Sequence, residues 1–376
     1  MVNIFRSLWL GSTRKLGSLQ RKQTRKIVKT LLDVVIPAAT AIKKSLGKSA
    51  GKAAGKPSAL RPPGGGIWGR STFIAGIDDV ASGIVAGKRM EYWLYRPAGM
   101  QADATLPLVV MLHGCEQGAV DFAQGTRMNA LAASKGFGVL YPQQSTRAQR
   151  NRCWPWFRSE VQAGEGEILL IAAIIRRVVA RQGFDPQRVY VAGLSAGAAM
   201  AHILALRHPE LVAAVGMHSA PVFGAASTPL GAYGVMQRGG LQRVGSAIRA
   251  VTDASPGPFP TMPAILIHGQ RDDVVRTINF HQLEQQFCEL NSLTAEHRQQ
   301  RVYRAAGRSA HAAHGVDVLD YRIGKKNVLR LCEIHQLKHA WSGGDPALPF
   351  NESKGPDASR MMWTFFAPHR RLPLEV

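Results

Sequence analysis

Short, continuously apolar runs alternate with segments of helical period from about residue 88 onward. Residues 106–112 (LPLVVML), 188–192 (RVYVA), 263–267 (PAILI) and 328–334 (VLRLCEI) have strand length and are apolar at most positions. Runs of this kind predict strands covered on both faces, as in a parallel sheet. Between them, residues 167–179 (EILLIAAIIRRVV), 198–206 and 279–290 carry helical patterns. Strands alternating with helices predict an α/β domain built on a mainly parallel central sheet flanked by helices. The interval 219–262 is rich in Pro, Gly and Ser, with one helical piece near 235–251. An interval that long between two strands reads as a lid or cap. A basic, small-residue-rich insertion over 304–316 holds His311 and His314 and is expected to be a surface loop.

The strand-to-helix junction at 188–206 carries Gly193-Leu194-Ser195-Ala196-Gly197. A G-x-S-x-G turn between a buried strand and a helix leaves the serine hydroxyl exposed. The helix that follows points its free N–H groups and positive dipole end at the same place. A charged intermediate forming beside Ser195 would be stabilised there. The same pentapeptide also serves as a plain βα loop, so the reading depends on an acid, a histidine and a second N–H donor in the order Ser, acid, His.

All three are present. The run 263–267 ends in His268-Gly269-Gln270-Arg271-Asp272-Asp273, which places two carboxylates on the loop leaving a strand. Asp272 is the preferred acid, with Asp273 facing solvent or capping the helix around 279–290. After the run 328–334 comes Leu337-Lys338-His339-Ala340-Trp341-Ser342-Gly343-Gly344. His339 on this Gly-rich loop is the candidate base. His335 reads as structural, and His268 and His113 as loop supports. The run 106–112 leads into His113-Gly114-Cys115-Glu116-Gln117-Gly118, whose backbone N–H at Cys115 (or Gly114) would join that of Ala196 in an oxyanion hole. Cys153-Trp154-Pro155-Trp156-Phe157 concentrates aromatic rings on a loop. Trp154 and Trp156, with Trp341, are expected to wall a substrate pocket.

Five separated segments occur in order: LHGCEQGAVDFAQGTRMNALAASKGFGVLYPQQS (112–145), CWPWF (153–157), GLSAGAAM (193–200), HGQRDDVV (268–275) and KHAWSGG (338–344). Together they resemble the poly(3-hydroxybutyrate) depolymerase-like esterase family, whose relatives include feruloyl and acetylxylan esterases, over roughly residues 85–365. The resemblance implies an α/β-hydrolase fold, with Ser195 as nucleophile, Asp272 as acid and His339 as base. The reaction implied is acyl transfer through a covalent acyl-enzyme, needing no cofactor and no metal. The family usually shows Gly before that histidine. Here Lys338 stands in its place, so the loop is expected to be shaped differently.

The four cysteines, Cys115, Cys153, Cys288 and Cys332, show no C-x-x-C spacing and no zinc pattern. In an oxidising compartment the pairings expected are Cys115 with Cys153 and Cys288 with Cys332.

Charge divides the chain into an extension, residues 1–66, and a catalytic domain, 67–376. The net charge is +22, and residues 1–60 hold 13 Lys or Arg against one acid, Asp33. Residues 3–35 space Ile4, Leu8, Leu16, Leu19, Ile27, Leu31 and Val35 at mostly helical intervals among basic residues, which predicts an amphipathic helix. Residues 42–66 are Lys/Ala/Gly-rich and end in Pro-Pro-Gly-Gly-Gly, as a linker does. An extension of this kind fits a solvated tail or attachment to an anionic surface, a membrane or a polymer granule. Nucleic acid is the weaker fit, because few aromatics are interleaved. Basic residues interrupt every apolar run at the start of the chain, unlike a secretory signal. The expectation is therefore a cytoplasmic protein, granule- or membrane-associated, with an extracellular location as the alternative. Transfer of the acyl group to an acceptor other than water is a further reading of the same residues.

Overall fold

The computed structural model describes residues 65–99, 105–240, 244–305 and 314–371. The chain divides into two units, residues 1–60 and 61–376, and the described residues all belong to the second. The helix expected over 3–35 and nearly all of the linker expected over 42–66 lie outside the described residues, as does His311 of the 304–316 insertion.

In chain order the second unit forms β1 (Ile67–Ile74), α1 (Ile77–Val80), β2 (Arg89–Arg96), β3 (Leu106–Leu112), α2 (Ala119–Thr126), α3 (Met128–Lys135) and β4 (Gly138–Gln143). There follow α4 (Ser159–Gln162), α5 (Glu167–Gln182), β5 (Phe184–Leu194), α6 (Ala196–Arg207), β6 (Ala214–His218), α7 (Pro229–Arg238), α8 (Val244–Asp253) and β7 (Ala264–Gly269). The last part holds α9 (Ile278–Leu290), β8 (Val302–Arg304), β9 (Val316–Ile323), β10 (Lys326–Ile334), the short strands β11 (Trp341–Ser342) and β12 (Asn351–Glu352), and α10 (Ala358–Phe366).

Ten strands form one sheet in the order β1-β2-β4-β3-β5-β6-β7-β10-β9-β8. The six from β4 to β10 run parallel, and antiparallel strands extend the sheet at both edges. The continuous apolar character of β3 has a direct cause. Leu108, Val110 and Leu112 face one core cluster, shared with α5, α6 and α9, while Val109 and Met111 face the other, shared with α2, α3 and α10. Both faces are covered, so no position along the strand can be polar without losing burial.

The register aligns the strand ends that matter. Leu112 pairs with Gly193, Leu194 with His218, His218 with Ile267, and Ile334 with Gly269. The loops after β3, β5, β6, β7 and β10 therefore emerge together along one edge of the sheet.

The helical piece expected over 235–251 is two helices, broken at Gly239 and Gly240. Gly239 has a φ of +70°, and the Gly240 backbone exchanges hydrogen bonds with the side chain of Gln282 on α9, at 2.8 Å each way. Val235, Val244, Ile248 and Val251 are buried in the core. Gln237 Nε2 donates to the carbonyls of Asp273 and Val274, so the insertion braces the loop that follows β7.

Candidate active site

Ser195 stands between β5 and α6 with φ +56° and ψ −121°, a backbone conformation that L-residues rarely adopt. Its N–H donates to the carbonyl of His218 at the end of the neighbouring strand (2.9 Å), which holds the turn in place. The two motif glycines are required by close approach. A side chain at Gly197 would collide with the carbonyls of Leu112 and His113, and one at Gly193 with the backbone of Gly197. Their absence lets α6 begin against the end of β3. The N–H of Ala196 opens that helix and has no acceptor within it.

Asp272 and His339 meet across two strand ends. Asp272 is buried, and its Oδ2 lies 2.8 Å from His339 Nδ1. Its Oδ1 accepts the backbone N–H groups of Val274 (3.0 Å) and Val275 (2.8 Å). Burial alone would raise the Asp272 pKa, but the His339 ring and these N–H donors outweigh it and hold the carboxyl down at about 2. The two loops are joined by backbone as well, since Gln270 N–H donates to Ile334 O and Arg271 N–H to Leu337 O, both at 2.9 Å. Asp273 is exposed, so of the two aspartates only Asp272 faces the histidine.

With Nδ1 engaged by a carboxylate, Nε2 is the nitrogen of His339 left to face a reacting group. Lys338 is exposed and has an ordinary negative φ; the left-handed residue of this loop is Gln336, at φ +59°. Lys338 therefore sits in a backbone conformation open to any L-residue. The backbone conformation that favours glycine falls two residues earlier.

The loop after β3 lies beside Ser195: a Cβ on Gly114 would sit 3.7 Å from Ser195 Cβ. Of its two candidate donors, the Gly114 N–H is already given to Gln117 Oε1 at 2.9 Å. That leaves the Cys115 N–H. His113 pins the loop from beneath. Its Nδ1–H donates to Gly114 O (2.8 Å), and its Nε2 accepts the N–H of Gln144 from the end of β4 (3.1 Å). Cys115 is bonded to Cys153, which ties the loop to the CWPWF segment. The second expected pairing does not form: Cys332 is buried within β10 and Cys288 lies on α9, and both are free thiols.

The three tryptophans expected to wall a pocket are all buried in the core. Trp154 is buried under the β3 loop, its indole N–H donating to His113 O at 2.9 Å. Trp341 is fully buried, stacked on His218 and donating to Ser359 Oγ. Each ring supports a catalytic loop from inside, because a large ring on a short loop finds more contact area in the core than at the surface. Trp156 lies in a narrow crevice with Ala199, Ile203, Pro221 and Phe223, one turn of α6 beyond Ser195.

His218 and Gln117 were not singled out from sequence. His218 accepts the Ser195 N–H on its carbonyl and the Ser342 N–H on its Nε2 (3.3 Å), and so links the nucleophile turn to the segment after His339. Its only sequence signal is shared with His113 and His268: a histidine ending an apolar strand. His268 donates to Val275 O at 2.7 Å, behind the acid. Among the described residues no cluster of His, Cys, Asp and Glu has the arrangement of a metal site.

Comparison with known proteins places the chain in a family. The model of the family described as Esterase PHB depolymerase matches residues 90–309. The chain is similar to poly(3-hydroxyalkanoate) depolymerase C of Paucimonas lemoignei, 31% identical over 208 residues, which is 54% of this chain and 49% of that one. Feruloyl esterase B of Neurospora crassa is 32% identical over 186 residues, covering 46% of this chain and 61% of its own. The match thus spans about half the length of the depolymerase. Among solved structures, an acetyl xylan esterase from Aspergillus awamori superposes with a TM-score of 0.60 at 17% identity, over 80% of this chain and 99% of that one. That likeness bears out the α/β-hydrolase fold. With more than half of its length matched by the family model, the chain belongs to the Esterase PHB depolymerase family.

Proposed function

We propose that the chain is a serine hydrolase of carboxylic esters, with hydroxyalkanoate oligoesters as its substrates. The observation that carries this reading is the 2.8 Å contact of Asp272 with His339, on the sheet edge where the Ser195 turn emerges. Ser195 Oγ attacks the ester carbonyl carbon while His339 Nε2 takes its proton. The carboxylate of Asp272 fixes the imidazole with Nδ1–H toward itself and stabilises the cation that forms. The carbonyl oxygen, now an anion, receives the N–H groups of Ala196 and Cys115, each worth about 2.7–4 kcal/mol to the transition state. The tetrahedral adduct collapses, and the alcohol leaves with the proton held by His339. Water, deprotonated by the same ring, then releases the acid and restores Ser195.

A feruloyl- or acetylxylan-type ester is the second reading, favoured by the similarity to the feruloyl esterase of Neurospora crassa. The Cys115–Cys153 bridge supports an oxidising compartment over the cytoplasm. Rates on acetyl to octanoyl p-nitrophenyl esters, methyl ferulate and hydroxybutyrate oligomers test the choice. A preference for the oligomers supports the first reading, and a preference for ferulate the second.

A further inference from the structure

Beside the oxyanion loop the structure holds a cavity of about 1050 Å³ whose lining includes six Lys or Arg and four Glu side chains. It lies on the active-site edge of the sheet. Antiparallel pairing of Glu91 with Gln143 sets the start of β2, with Lys88 and Arg89, against the exit of β4, which neighbours β3. Two of its arginines are already paired, Arg70 with Glu91 at 2.6 Å and Arg158 with Glu160 at 3.7 Å. Lys88, Arg89, Arg147 and Arg152 face the cavity with no carboxylate within ion-pair distance among the described residues. Only Glu165 and Glu167 stand against these four, and Glu167 already accepts from Gln144 Nε2.

Arg152 is the residue that most needs a partner. Its Nε is buried without any hydrogen bond. Its guanidinium lies against Gly118, where a Cβ would sit 3.0 Å from Nη1, with Asp121 flanking the same glycine outside ion-pair range. The residue is held at φ +51°, next to Cys153. Through the bridge, whose Cα atoms are 4.2 Å apart, it is tied to the oxyanion donor Cys115. The two Cα atoms are therefore no more than about 8 Å apart, one peptide step beyond the bridge. A half-buried guanidinium whose neighbouring carboxylate, Asp121, stays outside ion-pair range is completed by an anion that reaches it, and its planar fork suits a carboxylate.

We propose that this cavity is a subsite for a carboxylate carried by the substrate chain, one or two repeat units from the scissile ester, with Arg152 as its anchor. The inference rests on the ester-hydrolase reading above. The chemistry fits two sources, the free acid end of a hydroxyacid oligomer and a uronate side group on an esterified glycan.

The test uses the full chain and two substrate pairs. One pair is hydroxybutyrate trimer as the free acid and as its terminal amide; the other is acetylated xylo-oligosaccharide with and without glucuronate. Wild type is expected to favour the carboxylate member of one pair at least tenfold in kcat/KM, and the pair that responds identifies the source. Arg152→Met is expected to bring that ratio to within twofold of one, Arg152→Lys to restore most of it, and added salt to lower it in wild type. Circular dichroism and melting of both variants separate a lost subsite from a lost fold. Ratios near one for both pairs in wild type, or a ratio unchanged by Arg152→Met, overturn the subsite. If wild type also fails on p-nitrophenyl acetate, it is the hydrolase reading itself that falls.

Discussion

Asp272 and His339 are 67 residues apart in sequence, yet the carboxylate and the ring meet at 2.8 Å because β7 and β10 are parallel neighbours that end in register. Asp272→Asn keeps the shape and one oxygen to accept the Val274 and Val275 N–H groups, but removes the charge that sets the His339 tautomer. It is expected to lower kcat on p-nitrophenyl butyrate by about 10³–10⁴-fold, with KM little changed. A loss under tenfold would mean that the carboxylate does not orient the base.

The Ser195 backbone conformation costs free energy that glycine avoids. Ser195→Gly is expected to be more stable than Ser195→Ala by about 1 kcal/mol in urea unfolding, with both inactive. Equal stabilities would show that the turn stores no strain at this residue.

Acid sensitivity follows from three buried histidines. Burial holds His113 down at about 4 despite its bond to the Gly114 carbonyl, and holds His202 and His218 at about 3, against an ordinary value of 6.5. Their contribution to stability is full above about pH 6.5. It is lost as pH falls toward 3–4, because the unfolded chain takes up protons that the folded one refuses. His268 and His369 are held down by burial as well, so stability falls with pH through the same window. Urea midpoints at pH 7, 6 and 5 measure it, and His202→Phe is expected to make the fall shallower. A midpoint constant from pH 7 to pH 5 would contradict this.

The Cys115–Cys153 bridge closes a separation of 38 residues and holds the loop that carries the oxyanion donor. Cys115→Ser with Cys153→Ser is expected to cost about 3–4 kcal/mol of stability. At a temperature where the variant remains folded, kcat is expected to fall more than KM rises. A change in KM alone would assign the bridge to substrate binding instead.

Much of this arrangement is legible in the sequence because it depends on local chemistry. The turn at 193–197, the apolar runs that become β3, β5, β7 and β10, and the loop positions of Asp272 and His339 follow from residue type and spacing. Facing direction does not. Trp154 follows Cys153 and Trp341 stands two residues after His339, yet both turn inward, and no periodicity on a loop distinguishes that from a pocket wall. Cys288 and Cys332 stay apart because one sits on a helix and the other is enclosed in a central strand. Pairings set by three-dimensional neighbours, such as Ser195 with His218, leave only faint traces along the chain. The left-handed backbone at Gln336 rather than at residue 338 is likewise a property of the folded loop.

The most direct test of the central claim is turnover of p-nitrophenyl esters from acetyl to octanoyl by wild type and Ser195→Ala, both shown to be folded. The account predicts serine-dependent hydrolysis, with the variant reduced at least 10³-fold, on the order seen when a nucleophile is removed from such a triad. Equal rates for the two proteins would contradict it.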